Sequence, residues 1–316
     1  MLVNLFTQTS DMKKFLIKVI TFFALLVVLD YASGKVFDYL SAHAKGGMTQ
    51  RDNYICDELE TDILLCGSSR CVHHYNPRII SDSLNLSCYN SGQDGNGIIL
   101  LYGRLQMIKS HYEPQLIIYD ITPDFDLLLG EDDHRYLTWL KPHYDRKGIS
   151  EIFQSVDKTE KFKMLSNLYR NNSHFIELAV DFFHPIINVD NNGFVPIDKE
   201  MDKSKIKKVN GLTDKEFEFD PLKLYYLRKY VEEENNRLVF VVSPIWYGMD
   251  TAQLQPLIDL CKSFQISLFD YSNNPKYVHN DLYFKDGSHL NARGADEFTR
   301  DLIQELKRCK ILNQKK

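Results

Sequence analysis

The chain carries no surplus of basic residues: 38 Lys and Arg stand against 43 Asp and Glu over 316 positions, a formal charge of −5. A nucleic-acid binder shows clustered positive charge, so that class is excluded. None of the six cysteines (Cys56, Cys66, Cys71, Cys88, Cys261 and Cys309) forms a C-x-x-C pair, which removes the common metal-ribbon patterns and leaves any disulfide pairing open. No internal repeat is present. With 44% hydrophobic and 26% charged residues, whole-chain disorder, collagen-like repeats and coiled coil are also excluded. A chain this long buries roughly three-quarters of its unfolded surface, so its core requires neither disulfide nor metal. No small-residue cleavage site follows the first apolar run closely; the nearest, Ala42-His43-Ala44, comes about a dozen residues late.

That apolar run is the first feature present. Met12-Lys13-Lys14 precedes Phe15-Leu16-Ile17, then Lys18, and Val19 to Leu29 is apolar apart from Thr21. No polar face repeats at helical spacing, which argues against a buried core helix. Phe15 to Ala32 approaches the roughly 20 residues that cross a bilayer, provided Lys18 snorkels to the headgroups. The pattern predicts an uncleaved signal anchor over residues 1–34 and a second segment, 35–316, holding the folded bulk. Lys13, Lys14 and Lys18 lie on its amino side, and the positive-inside rule places that bulk outside the cytoplasm, periplasmic or at the cell surface.

After the anchor, apolar runs alternate with helix-length segments. Asp62–Cys66, Leu86–Asn90, Gln115–Asp120, Arg237–Pro244 and Ile266–Asp270 read as strands. Ile98–His111, Pro221–Glu234, Asp250–Phe264 and Ala292–Lys310 read as helices. Continuous apolar strands separated by helices predict a three-layer α/β sandwich around a parallel five-stranded sheet. Residues 127–219 break the rhythm and read as an insertion, with helix-like stretches at Ile149–Val156 and Lys161–Phe183. A segment at Pro185–Pro196 follows, then a Lys-rich, solvated run at Asp198–Lys208.

Ligands of an open parallel sheet bind beyond the carboxyl ends of its strands. Ser68-Ser69-Arg70 stands there after the first strand, a Gly-rich turn after the second, and Thr122-Pro123-Asp124 after the third. Ser243-Pro244-Ile245-Trp246-Tyr247 follows the fourth, and Lys285-Asp286-Gly287-Ser288-His289 precedes the last helix, for which Asn291 is a good N-cap. A Ser at a tight strand-to-helix turn, with His and Asp on another loop, supplies a nucleophile, a base and an orienting carboxylate. Arg70 either contacts an anionic substrate or pairs with a local carboxylate. Trp246 and Tyr247 either stack on a sugar ring or pack in the core. His73 and His74, one turn past Ser69, read as exposed helix residues, one of them a candidate to line a cleft. Asp120, Asp124, Asp126, Asp132, Asp133 and His134 match no defined metal loop and read as solvated. Neither a metal nor a cofactor is expected.

Taken in order, these blocks resemble the SGNH or GDSL-type hydrolases. Gly67-Ser68-Ser69 is similar to the first block, placing Ser69 at the nucleophile and its N–H at one oxyanion donor. Asn90-Ser91-Gly92-Gln93-Asp94-Gly95 is similar to the second, with Gly95 at the oxyanion glycine, and Asp286-Gly287-Ser288-His289 to the last. The third block usually reads Gly-x-Asn-Asp; here it is Ile121-Thr122-Pro123-Asp124-Phe125, with Asp124 near the Asn position. The likeness covers about residues 60–126 and 237–308. It implies a flavodoxin-like SGNH fold. The anchor and the closing Asp-Gly-Ser-His-Leu-Asn resemble the membrane-anchored envelope branch, which moves acyl groups on cell-envelope polymers. The resemblance therefore implies an extracytoplasmic serine esterase or O-acyltransferase with Ser69, His289 and Asp286 as its triad and Arg70, Asp124 and Trp246 as candidate substrate contacts. Its partners would be the membrane, an acylated envelope carbohydrate and a membrane acyl-donor protein. The alternative, suggested by the altered third block, is a non-catalytic envelope protein that binds glycan or a membrane enzyme.

Overall fold

Each apolar run becomes one short strand: β1 Ile63–Gly67, β2 Cys88–Asn90, β3 Leu116–Asp120, β4 Leu238–Val242 and β5 Ser267–Asp270. In this computed structural model of the chain, all residues are described except 1, 131–132, 185–190, 203–216 and 312–316. Asp132, the side chains of Asp133 and His134, and most of the Lys-rich run therefore lie outside the described residues. The strands are all parallel, in the order β2-β1-β3-β4-β5. β1, β3 and β4 are buried along their whole length, which is why they read as unbroken Ile, Leu and Val rather than as alternating residues. The protein is thus an α/β fold with a five-stranded parallel sheet, flanking helices and one amino-terminal apolar helix.

The helices in chain order are α1 Leu2–Ala42, α2 Gly47–Asp57, α3 Ser69–His74, α4 Pro77–Leu84, α5 Ile98–Ile108, α6 Pro123–Asp126 and α7 Ile149–Val156. They continue with α8 Glu160–Lys163, α9 Asn167–Asn171, α10 Phe175–Phe183, α11 Pro221–Glu234, α12 Gln255–Phe264 and α13 Ala292–Arg308. Their starts follow local chemistry. Asp220 caps α11 through Leu222 N and Lys223 N with Pro221 in the first turn, and Asn291 caps α13 through Gly294 N. Lys161–Phe183, expected as one helix-like stretch, is three short helices instead. Ser166 accepts from Tyr169 N and so starts α9 afresh, and Asn171-Asn172-Ser173 interrupts the chain before α10.

The chain divides into two units. One contains residues 1–53 and 157–188: α1, most of α2, and α8–α10. Among the described residues α1 is the one helix long and apolar enough to cross a membrane, over Asp11–Ala42. The other contains residues 54–156 and 189–316 and holds the sheet. One of its cores joins Ile63, Leu65, Ile118, Val239 and Val241 to Tyr75, Ile80, Phe298 and Leu302 of the α3, α4 and α13 side. On the other side of this unit, the Tyr230 ring of α11 lies edge-on to Tyr119 of β3 at 5.3 Å. None of the six cysteines forms a disulfide, and all but Cys309 are buried.

Candidate active site

β1 ends at Gly67 and turns sharply into α3, and this turn sets the direction of the next two residues. Gly67 has φ 149°, and a Cβ there would lie 2.7 Å from Cβ of Cys71 and 2.8 Å from the carbonyl oxygen of Asp120. Gly67→Ala should therefore lower folding stability by about 2–3 kcal/mol, because backbone strain and a steric clash combine at one buried position. Urea unfolding followed by circular dichroism reads this directly.

The two serines after Gly67 part company. Ser68 is fully buried, and its hydroxyl lies 2.9 Å from Thr122 Oγ1. Ser69, half-buried at the first turn of α3, lies with Oγ 2.9 Å from His289 Nε2. The other imidazole nitrogen, Nδ1, is 3.0 and 3.2 Å from the two oxygens of Asp286. The structure thus brings Ser69, His289 and Asp286 together across 220 residues of sequence.

Asp286 is held by its own loop. Its Oδ1 accepts the backbone N–H groups of Ser288 and His289 at 2.9 Å each, the local turn a short acidic side chain favours. Lys285 N donates to His289 O at 2.9 Å and closes the loop at its base. Burial acts to raise the Asp286 carboxyl, but hydrogen bonds from His289 and from Ser288 N–H outweigh it and hold the group far below the usual carboxylate range. It remains ionised at any physiological pH and fixes the His289 tautomer with Nε2 free to accept from Ser69.

The second-block turn lies beside this pair. Gln93 N donates to Gly67 O at 3.0 Å, and buried Arg104 donates to Ser91 O and Gln93 Oε1. Gly95 has φ 66°, the left-handed conformation suited to glycine at that turn. Among the described residues, neither Ser69 N–H nor Gly95 N–H has a protein acceptor.

His73 and His74 differ from expectation. His73 is half-buried, with its ring edge-on to His289 at 5.7 Å and its Nδ1 donating to Val195 O at 2.7 Å. His74, expected to be exposed, is fully buried. Its Nε2 accepts Leu290 N–H at 2.9 Å, and its Nδ1 lies 2.9 Å from Ser243 Oγ. Ser243 Oγ in turn donates to Asp120 Oδ2 at 3.1 Å. Burial, then the neighbouring His289 and Arg70, keep His74 well below the ordinary histidine range, so it stays neutral. A buried relay from Asp120 through Ser243 and His74 therefore pins the backbone next to His289. Sequence reading missed it, although Asp120 and Ser243 stand at the carboxyl ends of β3 and β4, where a site is expected.

Arg70 is buried and faces inward; its Nε lies 3.6 Å from Asp120 Oδ2, and its guanidinium also donates to Ile121 O. Trp246 is half-buried behind the His289 loop, its backbone N donating to Gly287 O and its indole to Asp281 Oδ1 at 3.0 Å. Asp124 is exposed, and its carbonyl accepts from buried Lys223 at 3.1 Å. Asp126, two residues on, is the buried carboxyl of this loop: burial pushes it up to about 7 against hydrogen bonds from Thr122 N and Tyr119 OH.

The described end of the insertion borders the site. Asn192 O accepts from Asn90 N at 2.8 Å, Val195 N donates to Val72 O at 3.1 Å, and Ala292 N donates to Ile197 O at 2.9 Å. This run passes from the end of β2 over α3 to the start of α13.

No family profile and no curated protein matches the chain. Among solved structures, a protein of Streptococcus pneumonia, provisionally described as a platelet activating factor, aligns over 87% of this chain and 98% of its own, with 14% identity and a TM-score of 0.37.

Proposed function

We propose that this chain is an SGNH-type serine acyl esterase or O-acyltransferase, anchored by α1 and acting outside the cytoplasm on acylated cell-envelope carbohydrate. The observation that carries the reading is the 2.9 Å approach of Ser69 Oγ to His289 Nε2, with Nδ1 of the same ring on the Asp286 carboxylate. In this reading His289 takes the Ser69 proton as Oγ attacks the ester carbonyl, and the tetrahedral oxyanion forms beside the Ser69 and Gly95 amides. The carbon–oxygen bond of the ester breaks, His289 returns the proton to the leaving alcohol, and acyl-Ser69 remains. Water then releases the acid, or a sugar hydroxyl takes the acyl group, and Ser69 is restored. Asp286 stabilises the imidazolium in both halves without taking its proton.

The test is labelling with a fluorophosphonate probe. An activated Ser69 becomes phosphonylated, and the modified peptide contains residue 69; an unlabelled, folded protein would overturn the reading in favour of a non-catalytic binder, the alternative that the altered third block suggests.

The exposed position of Asp124 gives a second expectation. Water screens its charge, so it does not confront the oxyanion at low dielectric. Asp124→Asn should therefore keep turnover of a small activated acetyl ester, since it removes no charge that faces the oxyanion. A large fall with unchanged unfolding would assign Asp124 a role of its own.

A further inference from the structure

In the unit formed by residues 1–53 and 157–188, the helices after residue 157 carry their apolar side chains outward. Phe162, Leu165, Leu168, Phe175, Ile176 and Phe183 are 47 to 77% exposed. Scattered exposed apolar residues are ordinary, but a cluster of this size marks an interaction surface. Along α10, Ile176, Val180 and Phe183 recur at helical spacing on one exposed face, while Leu178 and the carboxylate of Asp181 are buried. That buried carboxylate accepts Thr49 N–H at 2.9 Å. The helix thus turns a carboxylate inward beside Leu178 and an apolar face outward.

The attachment to α1 says what covers this face. Asp30 is the first acid after the apolar run that ends at Leu29. Its carboxylate accepts Ser166 Oγ at 2.6 Å, Asn167 N at 2.8 Å, Asn167 Nδ2 at 3.0 Å and Leu168 N at 3.0 Å. Phe15 to Leu29 rises about 21 Å at ~1.5 Å per residue, less than the ~30 Å hydrocarbon thickness. Measured from the Lys13-Lys14 end, Asp30 therefore falls short of the far hydrocarbon edge, at a depth where a carboxylate must find its donors in the protein. The start of α9 provides four hydrogen bonds, and in doing so it sets Leu165 and Leu168, which flank that start, at the same depth. Farther along α1, Tyr39 packs against Phe182 of α10 at 5.9 Å, a tyrosine at the level where aromatic belts form. Exposed Lys158 and Lys161 lie beside the same surface, suited to anionic headgroups.

We propose that α8–α10 form a platform seated in the membrane–water interface on the carboxyl side of the α1 span, with Leu165 and Ile176 against acyl chains. This rests on reading α1 as a membrane span. It gives part of the insertion a task distinct from acyl transfer: it ties the chain to the bilayer at a second place beyond the helix itself.

The experiment uses full-length protein in a Cys309→Ser background, reconstituted in phosphatidylcholine–phosphatidylglycerol nanodiscs. A bimane fluorophore is placed singly at Leu26→Cys, Leu165→Cys and Ile176→Cys. With acyl-chain-brominated lipid all three should lose most of their emission, and aqueous iodide should leave them largely unquenched. If Leu26 is quenched by brominated lipid but Leu165 and Ile176 respond only to iodide, the platform is overturned and the anchor stands. If Leu165 and Ile176 respond to neither quencher, protein covers the face and the proposal also fails. If Leu26 itself escapes the brominated lipid, the span reading falls and takes the platform with it.

Discussion

Ser69→Ala and His289→Ala should each remove ~10⁴–10⁶-fold of acyl-ester turnover, and the double variant should be little worse than either single one. The reason is the single hydrogen bond between them: in the proposed mechanism Ser69 Oγ attacks only while His289 Nε2 takes its proton, so losing either partner loses the same step. Both side chains are part-exposed and neither supports the core, so the unfolding midpoint should stay close to that of the parent. Ser68→Ala is the informative control. Its hydroxyl is buried against Thr122, so its loss should cost some stability and little turnover. A steady-state assay with a chromogenic acetate, beside urea unfolding, measures all four proteins. If Ser68→Ala is the inactivating change while Ser69→Ala is mild, the nucleophile has been placed one residue out.

The centre of the sheet was readable in the sequence because β1, β3 and β4 are buried along their whole length. Ile63–Cys66, Leu116–Tyr119 and Leu238–Val242 are apolar without a break, and each is bounded by Gly, Pro or charge. Starts of helices were readable where a cap is written locally, as at Asp220-Pro221 and Asn291. The Ser69, Asp286 and His289 grouping was readable only as block order, since nothing in the sequence measures the distance between residues 69 and 289.

Three things were hidden, each for a physical reason. The burial of His74 depends on Leu290 and Ser243, which approach from distant segments. The division of Lys161–Phe183 into three helices depends on Ser166 competing for a backbone N–H, a contest that apolar periodicity does not register. The outward apolar face of α10 leaves the same periodic pattern as an ordinary surface helix, because spacing shows which residues share a face and not which side that face takes.

Asp120→Ala should be the most damaging change to the fold in the sheet-bearing unit, costing about 3–5 kcal/mol. Asp120 is fully buried at the end of β3 and accepts Tyr75 OH at 2.7 Å, Ser243 N at 2.9 Å and Ser243 Oγ at 3.1 Å, with Arg70 Nε 3.6 Å away. Burial raises its carboxyl, and Arg70, Tyr75 and Ser243 only partly offset that, so the group is costly where it stands. Its removal is costlier, because Arg70 is then a buried cation without its partner and two hydroxyls lose their acceptor. Against a typical total of ~5–15 kcal/mol, the variant should lie near the edge of folding. Asp120→Asn keeps an acceptor and should be milder. The decisive comparison is a cycle with Arg70→Met. If the charge pair carries the loss, Asp120→Asn combined with Arg70→Met should be more stable than the sum of the single effects predicts, since both buried charges leave together. Simple additivity would mean that the Tyr75 and Ser243 hydrogen bonds, and not the charge of Arg70, are what Asp120 is there to satisfy. Turnover adds a second measure: Ser243 passes the position of Asp120 to His74 and Leu290, so folded Asp120→Asn protein should lose kcat more than it gains KM.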